Sequence, residues 1–128
     1  MAIRIVRLGT ERARDEGVRI GTVRRPPRGV PKSAFSSGDW YDVWLPNLAP
    51  SPETVKLGLA SESERKWSTF VKRYRAEMAR PEQSRLLDVL SALSHGANFS
   101  VGCYCQDESR CHRSVLRQLL LERKADVL

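Results

Sequence analysis

No stretch of this sequence approaches the run of about 18 apolar residues that a membrane span requires, because charge or polarity interrupts every apolar segment within a few positions. No membrane role is therefore expected. The sequence also lacks the charged head, apolar block and small-residue cleavage site of a secretory leader. Met1-Ala2-Ile3-Arg4-Ile5-Val6-Arg7 alternates apolar and basic positions instead, as a first strand does. Cysteine is scarce and poorly placed for a disulfide framework: there are three, an odd number, and all fall within positions 103–111. Secreted frameworks spread their staples along the chain, so a reducing cytoplasm is the expected compartment. Acidic residues are in deficit, 15 against 22 Lys and Arg, and no internal repeat or low-complexity tail is visible.

What is present bounds the answer further. A chain of 128 residues with 41% hydrophobic composition reads as one domain, residues 1–128, with an ordinary core. The net charge of +7 is concentrated before residue 33 and around the cysteines. Such a surface attracts phosphate, nucleotides or nucleic acid, although a basic solvated face explains it as well.

Residues 2–7 and 18–23 alternate and predict two short strands, separated by a charged segment with glycine at each end, Gly9 and Gly17. Residues 24–32 hold three prolines, which forbid helix and central strand and leave a loop. Trp40-Tyr41-Asp42-Val43-Trp44-Leu45 suits a short strand, ended by Pro46. Ser51 followed by Pro52 and Glu53 then starts a short helix, expected to stop at Gly58. A second helix is predicted from Ser61 or Ser63, on the spacing of Trp67, Phe70, Val71, Tyr74 and Met78. Pro81 opens a third, with Leu86, Leu87, Leu90 and Leu93 as its stripe and Gly96 as its end. Phe99 to Cys105 reads as a buried strand, and the segment from about Arg110 to Lys124 as a helix facing inward through Val115, Leu116, Leu119 and Leu120. Alternating strands and helices favour an α/β layered fold, with a mainly parallel mixed sheet flanked by helices, Rossmann-like in the broad sense.

The last strand-to-helix junction carries the chemistry. Strand alternation puts Cys103 and Cys105 on one face, with Tyr104 opposite. Helical geometry of about 100° per residue turns His112 toward the sheet, leaves Cys111 at the border, and directs Arg110, Arg113 and Arg117 outward. A thiol in a first helical turn has a lowered pKa, and a histidine there tends to stay neutral. Cys111 with His112 then resembles a nucleophile and its base, with Cys105 as a second possible nucleophile. Arginines beside a positive helix end point to a phosphate or carboxylate. Two other readings stand beside this one. Small buried cysteines and a satisfied histidine are ordinary core residues. A metal site would draw on Cys103, Cys105, Cys111 and His112, but Cys-x-Cys-x5-Cys-His is not the usual knuckle spacing. Adjacent residues on a helix also diverge, so no metal ligand set is assigned.

Arg28-Gly29-Val30-Pro31-Lys32, Trp44-Leu45-Pro46-Asn47-Leu48-Ala49-Pro50-Ser51, Trp67-Ser68-Thr69-Phe70 with Tyr74-Arg75-Ala76-Glu77-Met78, and Cys103-Tyr104-Cys105 with Cys111-His112-Arg113 follow one another in this order. Over roughly residues 3–122 this order resembles the family called domain of unknown function 488, the YeaO-like proteins. The resemblance implies a small bacterial α/β protein and no particular reaction. Members that look like YeaO keep a histidine-bearing segment where the cysteines are absent, which puts His112 ahead of the cysteines. The family pattern has another basic segment with proline and glycine at residues 24–32, with Arg28, which reads as a turn or as a phosphate-binding or substrate-gating loop. Trp40, Tyr41 and Trp44 suit either base stacking or the core.

The expectation is an enzyme acting on an anionic small molecule or nucleotide, with His112 as general base, Cys111 or Cys105 as nucleophile, and Arg113, Arg110 and Arg28 as anion contacts. The alternatives are a nucleic-acid-binding module and a metal-binding or redox-sensing protein in which Cys103 or Cys105 pairs with Cys111. Cofactor and oligomeric state are left open.

Overall fold

The computed structural model describes residues 1–59 and 63–128. Four short strands, β1 (Ile3–Arg7), β2 (Val18–Gly21), β3 (Val43–Trp44) and β4 (Phe99–Cys103), form one sheet in the order β1-β4-β2-β3. Every pairing of these strands is parallel, so the expected mixture resolves to a purely parallel sheet. β4 is buried along its whole length, as a strand flanked on both edges and covered on both faces must be. Val101 sits level with Ile5 on one side and Ile20 on the other.

Four helices follow their sequence signals: α1 (Pro52–Leu59), α2 (Glu64–Met78), α3 (Pro81–Leu93) and α4 (His112–Glu122). The Ser51 hydroxyl accepts the Thr54 amide at 3.3 Å, and the Ser63 hydroxyl accepts that of Lys66 at 3.2 Å, each satisfying an otherwise unpaired donor of a first turn. The alternative start at Ser61 lies outside the described residues. Gly58 does not end α1 but lies within it, and a Cβ there would meet the Phe70 ring at 2.9 Å. The glycine is a point of close approach between α1 and α2.

Strand alternation sorts the two faces. Ile3, Ile5, Ile20, Phe99 and Val101 pack against Phe70, Tyr74, Leu87, Leu116 and Leu120 of the helices. Leu93, expected in the buried stripe of α3, is instead exposed at the helix end. The opposite face is covered by segments 9–17 and 32–42, which contain no α-helix and only one 3-10 turn, Lys32–Ala34, giving two layers. Beside an apolar cluster of Leu8, Val23 and Tyr41 it holds a buried charged network: the Arg19 guanidinium donates to both Glu16 carboxylate oxygens, at 2.6 and 2.9 Å, and to the carbonyls of Thr10 and Asp39. Ser100 of β4 donates to the same carboxylate at 2.6 Å. Tyr41 is core and Trp40 lies edge-on to Tyr104, 6.0 Å between ring centres, so these aromatics build the second face. No helix among the described residues is long and apolar enough to cross a membrane.

Candidate functional site

At the carboxyl ends of the strands the chain departs in two directions. From β1 and β2 it turns to the loop-covered face, where Leu8, Val23 and Tyr41 pack together, whereas from β4 it turns back into α4 in the helical layer. This divergence opens a crevice beyond the carboxyl ends, the place where parallel α/β sheets bind ligands. The crevice is a cleft of about 400 Å³ between α1 and the end of β4. Val55, Pro50, Pro52 and Phe70 give it apolar walls, Cys103, Cys111 and His112 lie along it, and Arg24, Arg25, Lys56 and Arg110 supply its positive charge.

Cys103 is the last residue of β4, on the same side as Val101, and is 2% exposed; Cys111 is also 2% exposed and His112 8%. Cys111 is not in the helix. It is the residue before α4, with extended backbone (φ −127°, ψ 150°), so the divergence expected of neighbours on a helix does not apply to it and His112. Of the two expected pairings, the structure joins Cys103 and Cys111 through their sulfurs as a disulfide, with Cα atoms 8.0 Å apart, and leaves Cys105 free. His112 Nε2 lies 2.7 Å from the Thr22 carbonyl oxygen. A carbonyl only accepts, so Nε2 carries the proton and Nδ1 keeps its lone pair. Nδ1 faces Cys111 Sγ at 3.9 Å. One ligating atom from each of Cys103, Cys111 and His112 lies within 4.8 Å of the other two.

Burial pushes the His112 pKa down to about 4, against the opposing pull of the Thr22 carbonyl and with some help from the Arg113 charge. The imidazole is neutral at physiological pH, as the sequence led one to expect, but through desolvation first. Tyr74, fully buried, packs edge-on to it at 5.5 Å and donates its hydroxyl to the Leu48 carbonyl at 2.7 Å. That bond ties the Leu-Pro-x-Leu-Ala-Pro-Ser box to the histidine. The rest of the box is held by Glu77, which accepts from the Ser51 amide, the Ser51 hydroxyl and the Thr54 hydroxyl at 2.9, 2.7 and 2.7 Å.

The remaining sequence-predicted residues separate. Cys105 does not share the face of Cys103, because β4 stops at Cys103 and the chain turns; Cys105 is exposed at the cleft and burial of its thiol raises its pKa. Arg113 does not point outward. Residues 104–110 fold over it, leaving it 4% exposed, with Nη2 donating to the Cys105 carbonyl at 2.6 Å and Nε without a partner. Arg110 lies over the Trp67 ring at 5.5 Å, pairs with Glu64, and lines the cleft. Arg117 pairs with Glu108 at 2.8 Å. Arg28 is exposed on its loop and is not among the cleft residues.

Sequence reasoning missed Thr22, Arg24, Arg25 and Lys56. Arg24 donates to the carbonyls of Pro50 and Ala49, at 3.1 and 3.2 Å. Among the described residues none of Arg24, Arg25 and Lys56 has a carboxylate partner, unlike Arg4, Arg12, Arg19, Arg75 and Arg123. Arg24 and Arg25 were visible as part of a basic proline-rich loop, but nothing in the sequence singled them out from Arg28. The Thr22 contribution is a main-chain oxygen and leaves no residue-type signal.

No curated protein and no solved structure matches the chain. A family model does match, over residues 3–124, and its description is the active DUF488-N3 subclade. With nearly the whole chain covered, the protein belongs to the DUF488 family, in the subclade DUF488-N3a.

Proposed function

We propose that this chain is an enzyme acting on an anionic small molecule or nucleotide bound in the cleft at the end of β4. The observation that carries this reading is the conjunction in one cleft of cations without carboxylate partners and a buried sulfur and imidazole pair. Arg24, Arg25 and Lys56, with Arg110 beside them already paired to Glu64, receive the substrate's charge, and its reacting atoms lie over Cys111 and His112. Once its pairing with Cys103 is reduced, Cys111 is the preferred nucleophile, since it precedes a helix whose positive end favours a thiolate. Cys105, whose pKa is raised, lies nearby as a thiol. His112 serves through its Nδ1 lone pair. With a pKa of about 4 it accepts a proton only transiently, so the general-base role expected from sequence narrows to that of an electron-pair donor. Arg113 acts as a positioning residue: it holds the Cys105 carbonyl, and with it the loop of residues 104–110, against the start of α4. Description of the matched subclade as active supports a site that does chemistry.

The test is a thermal-shift screen with pyrophosphate and nucleoside mono-, di- and triphosphates, followed by product analysis for any compound that binds. A rise in Tm that is diminished in Arg25→Ala/Lys56→Ala, and turnover lost in His112→Ala, are the expected results. If no anion raises Tm, the reading is wrong. Tight binding of a single-stranded oligonucleotide that weakens steeply with salt and survives His112→Ala identifies a nucleic-acid module instead.

A further inference from the structure

We propose that Cys103 and Cys111 in their reduced form, with His112, bind one thiophilic divalent cation of the zinc class through the two sulfurs and Nδ1, with the fourth position open to the cleft. The inference rests on the reading above for the cleft as the substrate site. With Cys111 and Nδ1 committed to the metal, it replaces their roles as nucleophile and base by that of an electrophile, and it is carried by separate observations. The first is convergence: the three ligating atoms lie within 4.8 Å of one another, and all three residues are buried yet line the same cleft. Two sulfurs, one imidazole and one free position form a donor set used by catalytic zinc sites.

The histidine supplies the second observation. An ordinary core histidine satisfies both ring nitrogens. Here Nε2 is committed to the Thr22 carbonyl at 2.7 Å, while the nearest partner of Nδ1 is a sulfur at 3.9 Å. Metal-ligating histidines are arranged this way, with the far N–H held by a backbone carbonyl so that tautomer and ring plane are fixed. Thr22 is in turn fixed to the sheet by its hydroxyl, which donates to the Gly102 carbonyl at 3.1 Å.

The third observation is the backbone separation of the cysteines. Relaxed disulfides hold their Cα atoms about 4.4–6.8 Å apart, whereas Cys103 and Cys111 are separated by 8.0 Å. Two thiolates on one zinc ion, with bonds of about 2.3 Å, place their sulfurs about 3.8 Å apart and suit a wider backbone spacing. Charge is consistent as well. Two thiolates, a neutral imidazole and a dication sum to zero, so the assembly can be buried at the start of α4, where a bare cation is opposed and a thiolate favoured. The cations of the cleft then face a neutral centre and remain free for an anionic ligand at the open position.

The test uses full-length protein, reduced, supplied with Zn(II), dialysed and measured by elemental analysis, with Co(II) substitution read by absorbance. The expected results are about one zinc per chain, and a Co(II) spectrum with thiolate charge-transfer bands and tetrahedral d–d intensity. Cys103→Ser, Cys111→Ser and His112→Ala should weaken zinc retention at least tenfold, while Cys105→Ser retains it, with circular dichroism checking the fold. If those variants unfold, the wild-type cobalt spectrum still decides. A spectrum of hydrated Co(II), zinc lost on dialysis, or metal binding that depends on Cys105 and not on Cys103 overturns the proposal. So does a Cys103–Cys111 crosslink in non-reducing peptide maps from protein that binds no metal after reduction. Phosphate-dependent stabilisation in zinc-free protein that binds no zinc refutes this inference and leaves the cleft reading standing; bound zinc with no response to any anion does the opposite.

Discussion

Replacing Arg19 by methionine tests the polar face of the sheet. Arg19 is fully buried and Glu16 is 2% exposed; the carboxylate takes two charge-assisted bonds from the guanidinium and one each from the Ser100 hydroxyl and the Ala13 amide. Removing one member of such a pair leaves an uncompensated buried charge, at a cost of about 3–5 kcal/mol. That is a large part of the roughly 5–15 kcal/mol by which domains are stable. The pH dependence follows with a definite sign. In the native protein the Glu16 pKa falls from 4.5 to about 2 because its bonds to Arg19, Ser100 and Ala13 outweigh desolvation. Its stabilisation, about 3 kcal/mol by linkage, is therefore complete above pH 4.5 and is lost as pH falls toward 2. In Arg19→Met desolvation loses its main opponent and the pKa rises, so acid relieves the variant while it weakens the wild type. Urea unfolding followed by far-UV circular dichroism should give a gap of about 3–5 kcal/mol at pH 7, narrowing markedly by pH 3. The double variant Glu16→Gln/Arg19→Met should be more stable at pH 7 than Arg19→Met alone. A single-variant cost below about 1 kcal/mol that does not change with pH would refute the reasoning.

Three further outcomes follow from the same geometry. Tyr74→Phe removes the hydroxyl donor to the buried Leu48 carbonyl and should cost about 1–3 kcal/mol in the same urea assay, lowering anion-induced Tm shifts more than Leu93→Ala on the exposed end of α3. Gly17→Ala should fail to accumulate as folded protein or lose at least about 2 kcal/mol, since Gly17 has φ +77° and a Cβ would lie 2.0 Å from the Asn98 carbonyl oxygen. Iodoacetamide with mass-spectrometric mapping should label exposed Cys105 before Cys103 and Cys111 in reduced protein. Its rate should still be climbing at pH 9, because burial raises the Cys105 pKa; a rate already level at neutral pH would contradict that shift.

The helices were legible because their stripes are long: Phe70, Tyr74 and Met78 in α2, and Val115, Leu116, Leu119 and Leu120 in α4, are buried as their spacing predicts. Strand existence was legible too, but extents were not. The aromatic run 40–45 contributes only Val43–Trp44, since Tyr41 is taken by packing on the second face and Asp42 by Arg12 and the Arg19 amide. The second face itself was illegible. Part of its core is an Arg–Glu–Ser network, and neither Glu16 nor Arg19 differs by type or spacing from the many solvated charges around it. Of the candidate site, His112 turns to the sheet as expected, Cys111 lies one residue before the helix instead of in its first turn, Cys105 and Arg113 are reoriented, and of the anticipated arginines only Arg110 is among the cations of the cleft.

The reorientations share one cause, which also explains how three consecutive residues carry three separate duties. A periodic reading treats positions 110–113 as one helix and spreads their side chains by about 100° each. The helix begins one residue later than Cys111, and Arg110 belongs to a separate 3-10 turn, Glu108–Arg110. Cys111, extended, therefore reaches back to Cys103 at the end of β4. His112, the first helical residue, drops onto the Thr22 carbonyl beyond β2. Arg113, the second, turns under the loop that the 3-10 turn has folded over it and grips the Cys105 carbonyl. Each contact joins α4 to a different part of the chain, so the start of the helix is fixed in position and rotation by the side chains that form the site. A Cys-His-Arg tripeptide shifted one residue into the helix would lose this arrangement, because the cysteine would be carried round with the helical repeat and away from Cys103.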